Sequence, residues 1–394
     1  MVKVKIERYS NQLEGIGYVG EKVIFIPKTK VGDIVEAEIT EEKTSYYRGR
    51  IKSDNSKIDC PYFYECGGCH LRNFTYEDTI KLKENSIIQL LKKNNLYNGS
   101  IKVHENINHY NYRNKVSLKI VNSRIGFYQE KTNKLVEIDN CLIAKDAINN
   151  FLKDIYRMGI KNGLVTIRCN YNDELLIIIS TQDNINFDFN ELKENHKIAG
   201  VVLNGKTLLN DNFFIDRINE TLFKVSYNSF FQVNNIGASL IVDIISKNIS
   251  KDDDVLDLYC GVGTIGLSIA GKAKSVLGVE IIPNAIENAL FNTRLNKIDN
   301  ANFLLGDVSK SVDKISNSFN TIIVDPPRAG LDSKTKEFIL DKNPDKLIYV
   351  SCNPITLVRD LVELSGKFTI KSFDIVDMFS YSYHVETVMI LERK

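Results

Sequence analysis

Hydrophobic and polar residues alternate over short runs in the first part of the chain, from Met1 to about Asp59. The runs are EGIGYVG, KVIFIPKTKVGD, IVEAEIT and YYRGRIK, with glycine-containing turns between or within them. Alternation with a period of two residues is typical of strands that bury one face. Several short strands of this kind close most readily into a small barrel. We therefore predict an N-terminal OB-like β-barrel over residues 1–59.

The next part, residues 60–224, mixes two periodicities. The stretch TIKLKENSIIQLLKKNN places apolar residues at helical spacing, whereas KVSLKIV, RIGFYQ, KLVEI, LVTIRC, ELLIIIS and AGVVLNG have the composition of strands. Turn residues such as Asn172 and Asp173 separate some of these strands, as is expected in hairpins. The pattern predicts a central α+β domain over residues 60–224.

Strand and helix patterns alternate regularly over residues 225–394. The strand-like runs include VLDLY, SVLGVEI, NFLLGD, TIIVDPP and KLIYVSC, and two further strands, FTIKSFDIVDMF and TVMILERK, end the chain. This order predicts an α/β domain with a doubly wound, Rossmann-like parallel sheet. A ligand site is then expected at the carboxyl ends of the strands, where the intervening loops meet.

Composition adds limits to this outline. A chain of 394 residues is long enough for two or three domains. Lysine and arginine (51 residues) nearly balance aspartate and glutamate (50 residues), so the chain lacks the overall basic charge typical of nucleic-acid binding. No apolar run is long enough to cross a bilayer, and the N-terminus lacks the apolar core of a signal peptide. We expect a cytoplasmic protein with no membrane contact.

If the chain binds RNA, the basic surface that does so must therefore be confined to one part of it. One candidate is KTSYYRGRIK, from Lys43 to Lys52, where cations surround Tyr46 and Tyr47. Cations can hold phosphates while aromatic rings stack on bases. An ordinary exposed strand would have the same composition, and both interpretations stay open.

The loop DLYCGVGTIG, after the first strand of the doubly wound sheet, carries glycines that let the backbone approach a ligand closely. Gly261, Gly263 and Gly266 satisfy a dinucleotide fingerprint literally. Asp257 argues against a nicotinamide cofactor. This acidic residue precedes the glycines within the strand, where it is poorly placed for a pyrophosphate.

Acidic residues then follow at successive strand ends. A carboxylate at Glu280 can accept hydrogen bonds from both ribose hydroxyls, and Asp307 could meet an adenine amino group. Asp325 precedes the rigid Pro-Pro turn of DPPRAGL. A turn-capping role alone would explain Asp325, but not the whole ordered set. The set favours S-adenosylmethionine over NAD, and with it the class I methyltransferase version of the doubly wound fold.

One cysteine and one carboxylate are placed for chemistry at this crevice. LIYVSCNP ends the fifth strand with Cys352, and SYSYHVETV places His384 and Glu386 just before the last strand. A lone cysteine at a strand end is more often a small buried hydrophobe. Carbon 5 of uracil, however, is too weakly nucleophilic to take a methyl group directly. It needs a thiolate added at carbon 6 and then a base that removes the carbon-5 proton.

Five motifs occur in the order SFFQVN, DLYCGVG, DPPRAG, SCNP and HVETV. Together they closely resemble the motifs of the RNA uracil-5-methyltransferases, and the resemblance extends over essentially the whole chain. It implies that Cys352 is the nucleophile and Glu386 the proton acceptor. The contacts with S-adenosylmethionine implied by the resemblance, together with Gly261 of the glycine loop, are Gln232, Tyr259, Thr264, Glu280, Asp307 and Asp325.

Two further parts of the resemblance concern RNA. The segment from Met1 to about Asp59 resembles the RNA-binding TRAM barrel. YRNKV, from Tyr112 to Val116, resembles the substrate-side motif of the same enzymes, which makes Arg113 a candidate RNA contact. The target base must leave its stack to meet Cys352, so a loop or a remodelled helix is expected as substrate.

Four of the seven cysteines form a second pattern. CPYFYECGGCH contains Cys60, Cys66 and Cys69, and Cys141 follows far downstream, after hairpins that could fold it back. Four thiolates can bind either zinc or an iron–sulfur cluster. The spacing is similar to the iron–sulfur motif of the ribosomal-RNA members of the family, which implies a 4Fe–4S cluster, with zinc as the alternative. The remaining Cys169 and Cys260 are expected to be structural.

The barrel and the cysteine set together resemble enzymes that act on large-subunit (23S) ribosomal RNA. Transfer RNA is the alternative target, and no obligate protein partner is evident. Two other classes also remain open: an amino-group methyltransferase, which would need neither Cys352 nor Glu386, and a non-catalytic iron–sulfur protein that binds RNA.

Overall fold

The structure is a computed structural model, which describes residues 1–52, 58–96, 99–311, 315 and 318–394. Part of the predicted barrel segment, residues 53–57, lies outside this described part. Among the described residues, no helix combines the length and the apolar character needed to cross a lipid bilayer.

The N-terminal segment forms one curled six-stranded sheet, in the order β1-β5-β6-β4-β3-β2. Only Ile6 and Glu7 separate its two edge strands in sequence, and the Glu7 N–H donates to the Ile16 carbonyl of β3 (2.8 Å). The sheet edges therefore meet. Gly17 permits this approach, since a β-carbon there would lie 2.4 Å from the Lys5 carbonyl oxygen. The bounds are β1 Val2–Lys5, β2 Arg8–Tyr9, β3 Gly15–Val19, β4 Lys22–Ile26, β5 Ile34–Glu42 and β6 Tyr46–Arg50.

A helix and a short strand follow, α1 (Tyr76–Lys93) and β7 (Ile101–His104). Thr75 caps α1 by accepting from the Asp78 N–H, and Ile80, Ile87 and Leu91 form its buried stripe. A seven-stranded sheet comes next, in the order β10-β9-β8-β11-β12-β13-β14. Its elements are β8 Lys115–Val121, β9 Arg124–Tyr128, β10 Leu135–Glu137, α2 Asp146–Arg157, β11 Asn162–Cys169, β12 Leu175–Thr181, a 3-10 helix Phe189–Glu194, β13 Ile198–Leu203 and β14 Lys206–Asn210.

The C-terminal part is the predicted doubly wound sheet, in the order β19-β18-β17-β20-β21-β23-β22-β7. The strand order reverses between β17 and β20, so the loops after these strands open a crevice at their carboxyl ends. The elements are β15 Phe213–Ile218, β16 Thr221–Ser226, α3 Asn235–Ser246, β17 Asp254–Leu258, α4 Thr264–Ala270, β18 Ser275–Glu280, α5 Pro283–Leu295, β19 Ala301–Leu305, α6 Val308–Ser311, β20 Thr321–Val324, α7 Ser333–Lys342, β21 Lys346–Ser351, α8 Pro354–Leu364, β22 Phe368–Val376 and β23 Glu386–Arg393.

Three elements that begin before residue 225 pack with this sheet: β7, the hairpin β15–β16 and α1. Strand β7 pairs in parallel with β22 and forms the sheet edge. The hairpin β15–β16 lies on α5, where the backbone of β16 donates to Asn292 and Asn296. Ile87 and Leu91 of α1 belong to the hydrophobic core of the same sheet. The α/β fold class with an N-terminal barrel is confirmed, while the domain boundaries at residues 60 and 225 stay a prediction.

Candidate active site

The antiparallel pairing of β21 and β23 brings Cys352 and Glu386 to one end of the sheet. Ser351, the last residue of β21, pairs with Thr387, so Cys352 follows and Glu386 precedes the same rung. Cys352 is fixed from the other side by α8, which Asn353 caps by accepting from the Ile355 N–H. The two predicted catalytic residues therefore lie beside each other, each at the terminus of a buried strand.

Opposing effects act on the Cys352 thiol. Burial and the neighbouring carboxylates of Glu386 and Asp325 raise its pKa, whereas Arg328 lowers it through its charge and a hydrogen bond. The Glu386 side chain is 6% exposed, and burial together with Asp325 raises its pKa well above the usual value. Burial likewise raises the pKa of Asp325 to about 7. Glu386 is thus a more basic carboxylate than one in water.

Arg328 belongs to the DPPRAG motif, but nothing in the sequence indicated that its side chain lies beside the Cys352 thiol and His384. Its Nη2 donates to His384 Nδ1 (2.7 Å). Burial and the Arg328 charge lower the pKa of His384 to about 3, so the imidazole is neutral. The available signal was its position directly after the Pro-Pro turn that carries Asp325, at the carboxyl end of β20.

The glycine loop after β17 has an unusual backbone. Tyr259, Gly261 and Gly263 all have positive φ, at 64°, 56° and 83°. A β-carbon on Gly261 would meet nothing within 4 Å, so the space over this residue is open to a ligand. Glu280 spans the loop: its Oε2 accepts from the Gly261 N–H (3.1 Å) and its Oε1 from the Ile282 N–H (2.8 Å).

Asp257 has a different role from the other acids of the predicted set. It is buried, and its Oδ2 accepts from the Gly266 N–H at the first turn of α4 (3.0 Å). Burial raises its pKa to about 7. A β-carbon on Gly266 would lie 2.9 Å from this carboxylate, so the glycine serves helix–strand packing. Asp257 supports the loop from beneath it.

The other predicted cofactor residues lie at the ends of neighbouring elements. Thr264 begins α4, and Asp325 follows β20. Asp307 follows β19, and hydrogen bonds from Ser309 lower its pKa. Gln232 lies before α3, held by a bond from Asn114 Nδ2 to its carbonyl (3.0 Å).

Apolar groups are exposed beside these polar ones. Ile281 is 54% and Leu305 51% exposed, next to Glu280 and Asp307 at paired strand ends. A nucleoside bound by these acids would cover them, so the residues fit S-adenosylmethionine.

A small cavity of about 160 Å³ opens over Cys352. Arg328 and His384, from the C-terminal part of the chain, line this cavity. It is also lined by α1 and by the β2–β3 turn of the barrel, which contributes Asn11, Gln12 and Leu13. Three parts of the chain that are distant in sequence therefore meet over the thiol.

The four cysteines of the second pattern line one larger cavity, of about 760 Å³. Arg113 also lines it, as do Arg328 and His384, so it adjoins the cavity over Cys352. Within the described residues, no three or more His, Cys, Asp or Glu side chains have the arrangement that a single metal ion requires.

Cations nevertheless surround these thiols. Lys28 is buried and donates to the Cys66 carbonyl (2.8 Å), and Arg72 lies beside Cys69. Arg72 Nε and Nη2 are buried without an acceptor among the described residues. Buried donors of this kind suit an anionic group, so the residues fit a cluster held by four thiolates.

The basic strand of the barrel is less available than its composition suggested. Arg48 pairs with the buried Glu14 (2.7 Å), and Arg50 pairs with Glu38 (3.0 Å). Lys22 lies over the Tyr47 ring, at 4.0 Å from its centroid. These contacts give the strand a structural role beside any contact with RNA.

Comparison with known proteins decides the family. The model described as tRNA (Uracil-5-)-methyltransferase matches residues 75–394, and the TRAM domain model matches residues 1–52. The chain belongs to the tRNA (uracil-5-)-methyltransferase family. It is therefore an S-adenosylmethionine-dependent RNA (uracil-5-)methyltransferase, which sets aside the amino-group and non-catalytic alternatives.

Individual relatives cover the whole chain. An uncharacterized RNA methyltransferase from Clostridium acetobutylicum is 31% identical over 99% of this chain and 96% of its own length. One from Halalkalibacterium halodurans is 30% identical over 100% and 97%, respectively. The crystal structure of Pyrococcus abyssi tRNA (uracil-54, C5)-methyltransferase with S-adenosyl-L-homocysteine has a TM-score of 0.80 and 24% identity, covering 99% of this chain and 100% of that one. At this identity it shows a shared fold.

Proposed function

We propose that the chain methylates carbon 5 of a uridine through a covalent bond between Cys352 and carbon 6. The observation that carries this assignment is the placement of Cys352 and Glu386 directly beyond the Ser351–Thr387 pair, with Arg328 beside the thiol. Arg328 favours the thiolate and so opposes the effect of burial. The Cys352 thiolate adds to carbon 6, and the electron pair displaced from the carbon 5–carbon 6 double bond makes carbon 5 nucleophilic.

Glu386 is the proposed base of the second half of the reaction. After carbon 5 has gained its methyl group, the Glu386 carboxylate takes the carbon-5 proton. The electron pair of that C–H bond re-forms the double bond, and Cys352 leaves carbon 6 as a thiolate. The raised pKa of Glu386 suits this step, because a more basic carboxylate removes a carbon-bound proton more readily.

We assign cofactor binding to the residues around the glycine loop, with Glu280 on the ribose and Asp307 on the adenine side. When bound, S-adenosylmethionine supplies the methyl group. The two backbone bonds that Glu280 accepts hold its carboxylate in place and leave lone pairs for ribose hydroxyls. The proposed set also contains Gln232, Tyr259, Gly261, Thr264 and Asp325.

The four cysteines are proposed to hold a 4Fe–4S cluster. Their shared cavity and the surrounding cations support an anionic group at this place. A bound cluster would join the segment from Cys60 to Cys69 to Cys141, in the loop between β10 and α2. Zinc is the alternative, and analysis of iron, sulfide and zinc in anaerobically purified protein distinguishes the two.

We propose 23S ribosomal RNA, in the cytoplasm, as the substrate, with the barrel of residues 1–59 contributing to its binding. The combination of barrel and cysteine cavity supports this target by its similarity to the ribosomal members. Transfer RNA is the second candidate, because the Pyrococcus abyssi transfer-RNA enzyme shares the fold over 99% of this chain, the barrel included.

Nucleoside mapping by mass spectrometry tests the proposal. A deletion strain should lack 5-methyluridine at a 23S position, and the wild-type gene should restore it. A gene carrying Cys352→Ala should not restore it, although the purified variant should still bind S-adenosylmethionine. Loss confined to transfer RNA would establish the second candidate, and restoration by Cys352→Ala would contradict the covalent mechanism.

A further inference from the structure

The loop from Asp377 to Val385, between β22 and β23, leads directly into Glu386 and carries His384; we call it the base loop. The segment that contains Cys66 and Cys69 holds the middle of the base loop. The backbone N–H groups of His70 and Leu71 both donate to the Tyr381 carbonyl, at 2.9 Å each. Tyr381 has φ of +61°, a left-handed conformation that a tyrosine keeps only when its surroundings impose it.

Arg72 provides the second contact between the same two segments. Its guanidinium lies over the Tyr381 ring, 4.3 Å from the centroid, and its Nη1 donates to Asp59 (2.7 Å). The Arg72 side chain is 1% exposed. Its other face lies beside the Cys69 thiol, where Nε and Nη2 have no acceptor of hydrogen-bonding geometry in the described part of the chain.

The start of the base loop is fixed independently of the cysteines. Asp377 is buried and accepts from Lys83 Nζ (2.6 Å), the Tyr76 hydroxyl (2.7 Å) and the Ser380 hydroxyl (2.7 Å). These bonds hold the first four residues of the loop on α1. The backbone of Tyr381, which follows them, is held by the segment that contains Cys66 and Cys69, while its ring also contacts Tyr76, His109 and Tyr110.

We propose that Arg72 is a positioning residue that couples the state of Cys69 to the placement of Glu386, through Tyr381. This inference rests on the proposed covalent mechanism, but not on which metal the cysteines hold. When Cys69 is a metal-bound thiolate, its sulfur can accept from the two free donors of Arg72 and so keep the guanidinium over the Tyr381 ring. Without that acceptor, these donors are better satisfied by water, and the contact of Arg72 with the Tyr381 ring is weakened.

The coupling should affect one step of the reaction. Cys352 lies between β21 and α8, and Arg72 has no hydrogen bond or ring contact with either element among the described residues, so addition to carbon 6 should be nearly unchanged. Proton removal needs Glu386 in line with the carbon-5 proton, and a small displacement slows such a step by about 10- to 100-fold. The methylated RNA should then accumulate while still bound to Cys352.

The test compares Arg72→Gln with the conservative Arg72→Lys and with Arg157→Gln, which removes a paired surface arginine elsewhere. Three quantities are measured: the ratio of covalently bound methylated RNA to released product, the metal content, and amide hydrogen exchange of residues 377–385. We expect the ratio to rise at least several-fold and exchange to quicken in Arg72→Gln. Arg72→Lys should recover part of the effect, and Arg157→Gln should match the wild type.

Wild-type protein stripped of its metal should show the same raised ratio, and stripping Arg72→Gln should add little to it. Slower turnover without more trapped RNA would overturn the coupling while leaving the covalent mechanism intact. Absence of trapped RNA in Glu386→Gln as well would count against the mechanism itself. If Arg72→Gln does not fold, Tyr381→Leu removes the ring from the other side, and an unchanged ratio in that variant would contradict the proposal.

Discussion

Cys352 and the four-cysteine set border adjoining cavities that share Arg328 and His384, yet their surroundings differ. Near Cys352, burial and two carboxylates raise the thiol pKa against the effect of one arginine. Near the four cysteines, Lys28 and Arg72 lower the pKa values of the Cys66 and Cys69 thiols, but burial outweighs them and raises the pKa of Cys69 to about 12. The proposed nucleophile must form and then break a bond, so neither its thiolate nor its neutral form can be strongly favoured. The proposed metal ligands have to be ionised, so a bound metal must supply the stabilisation that the cations alone do not.

The largest expected effect concerns the catalytic side of this comparison. Glu386→Gln keeps the shape of the side chain and removes its basicity, so turnover should fall by about 10²- to 10⁴-fold. Cys352 should still add to the RNA, leaving a methylated adduct that survives denaturing electrophoresis. Glu392→Gln, at the far end of the same strand β23, is the matched control. Normal turnover in Glu386→Gln would assign the base to another group.

Replacing one of the four cysteines should reduce activity less than Glu386→Gln does, and for a different reason. Cys66→Ser should lose the metal and lower activity by about 10- to 100-fold, because a ligand is removed but the reacting groups remain. Metal content and single-turnover adduct formation measure the two parts separately. Cys169→Ala, which changes a buried cysteine outside the cavity, should keep its metal. Full metal content in Cys66→Ser would exclude Cys66 as a ligand.

Some features of the fold and the site could be predicted from the sequence, and others could not. The doubly wound sheet follows from local alternation of strand and helix, and motif residues at strand ends necessarily meet at one edge. Strand β7 was not predicted within that sheet, because four residues carry no sign that their partner is β22. The pair of Lys83 and Asp377 is 294 residues apart and joins a lysine on an amphipathic helix to a buried acid. Such partners are selected by tertiary packing, which local periodicity does not encode.

Replacing Arg328 should change the pKa of the Cys352 thiol without changing the four-cysteine set. It lowers the pKa of the thiol, so Arg328→Gln should raise that pKa. The thiolate is the reactive form, and activity increases as pH rises through the thiol pKa. The acidic limb of the rate–pH profile should therefore move to higher pH. Each unit by which the thiol pKa rises lowers the thiolate fraction at neutral pH about tenfold, so activity there should decrease by a similar factor.

Adduct formation measured from pH 6 to pH 10 tests this shift. Arg359→Gln is a suitable control, since that arginine contacts Asp360 on α8 and not the thiol. An unchanged acidic limb in Arg328→Gln would mean that Arg328 acts on the RNA and not on Cys352.

The smallest effect is expected at the barrel turn that lines the cavity over Cys352. Asn11 and Gln12 are exposed there, while the turn itself is held by Ser10, whose hydroxyl accepts from the Gln12 and Glu14 N–H groups (3.1 Å each). Leu13 is buried with φ of +56°, so the turn keeps a fixed shape. Amide side chains at this place can hydrogen-bond a nucleotide next to the target.

Each such bond is worth about 0.5–1.5 kcal/mol, so Asn11→Ala and Gln12→Ala should lower kcat/KM by about 2- to 12-fold. The decrease should depend on the base beside the target uridine, because an amide distinguishes hydrogen-bond donors from acceptors on a base edge. Glu21→Ala, in the turn at the other end of β3, lies outside the residues that line the cavity and should leave kcat/KM unchanged. Equal losses on all flanking bases would show that the turn binds the RNA backbone. Equal losses in Glu21→Ala would mean that the barrel acts through overall affinity, with no part in shaping the site around Cys352.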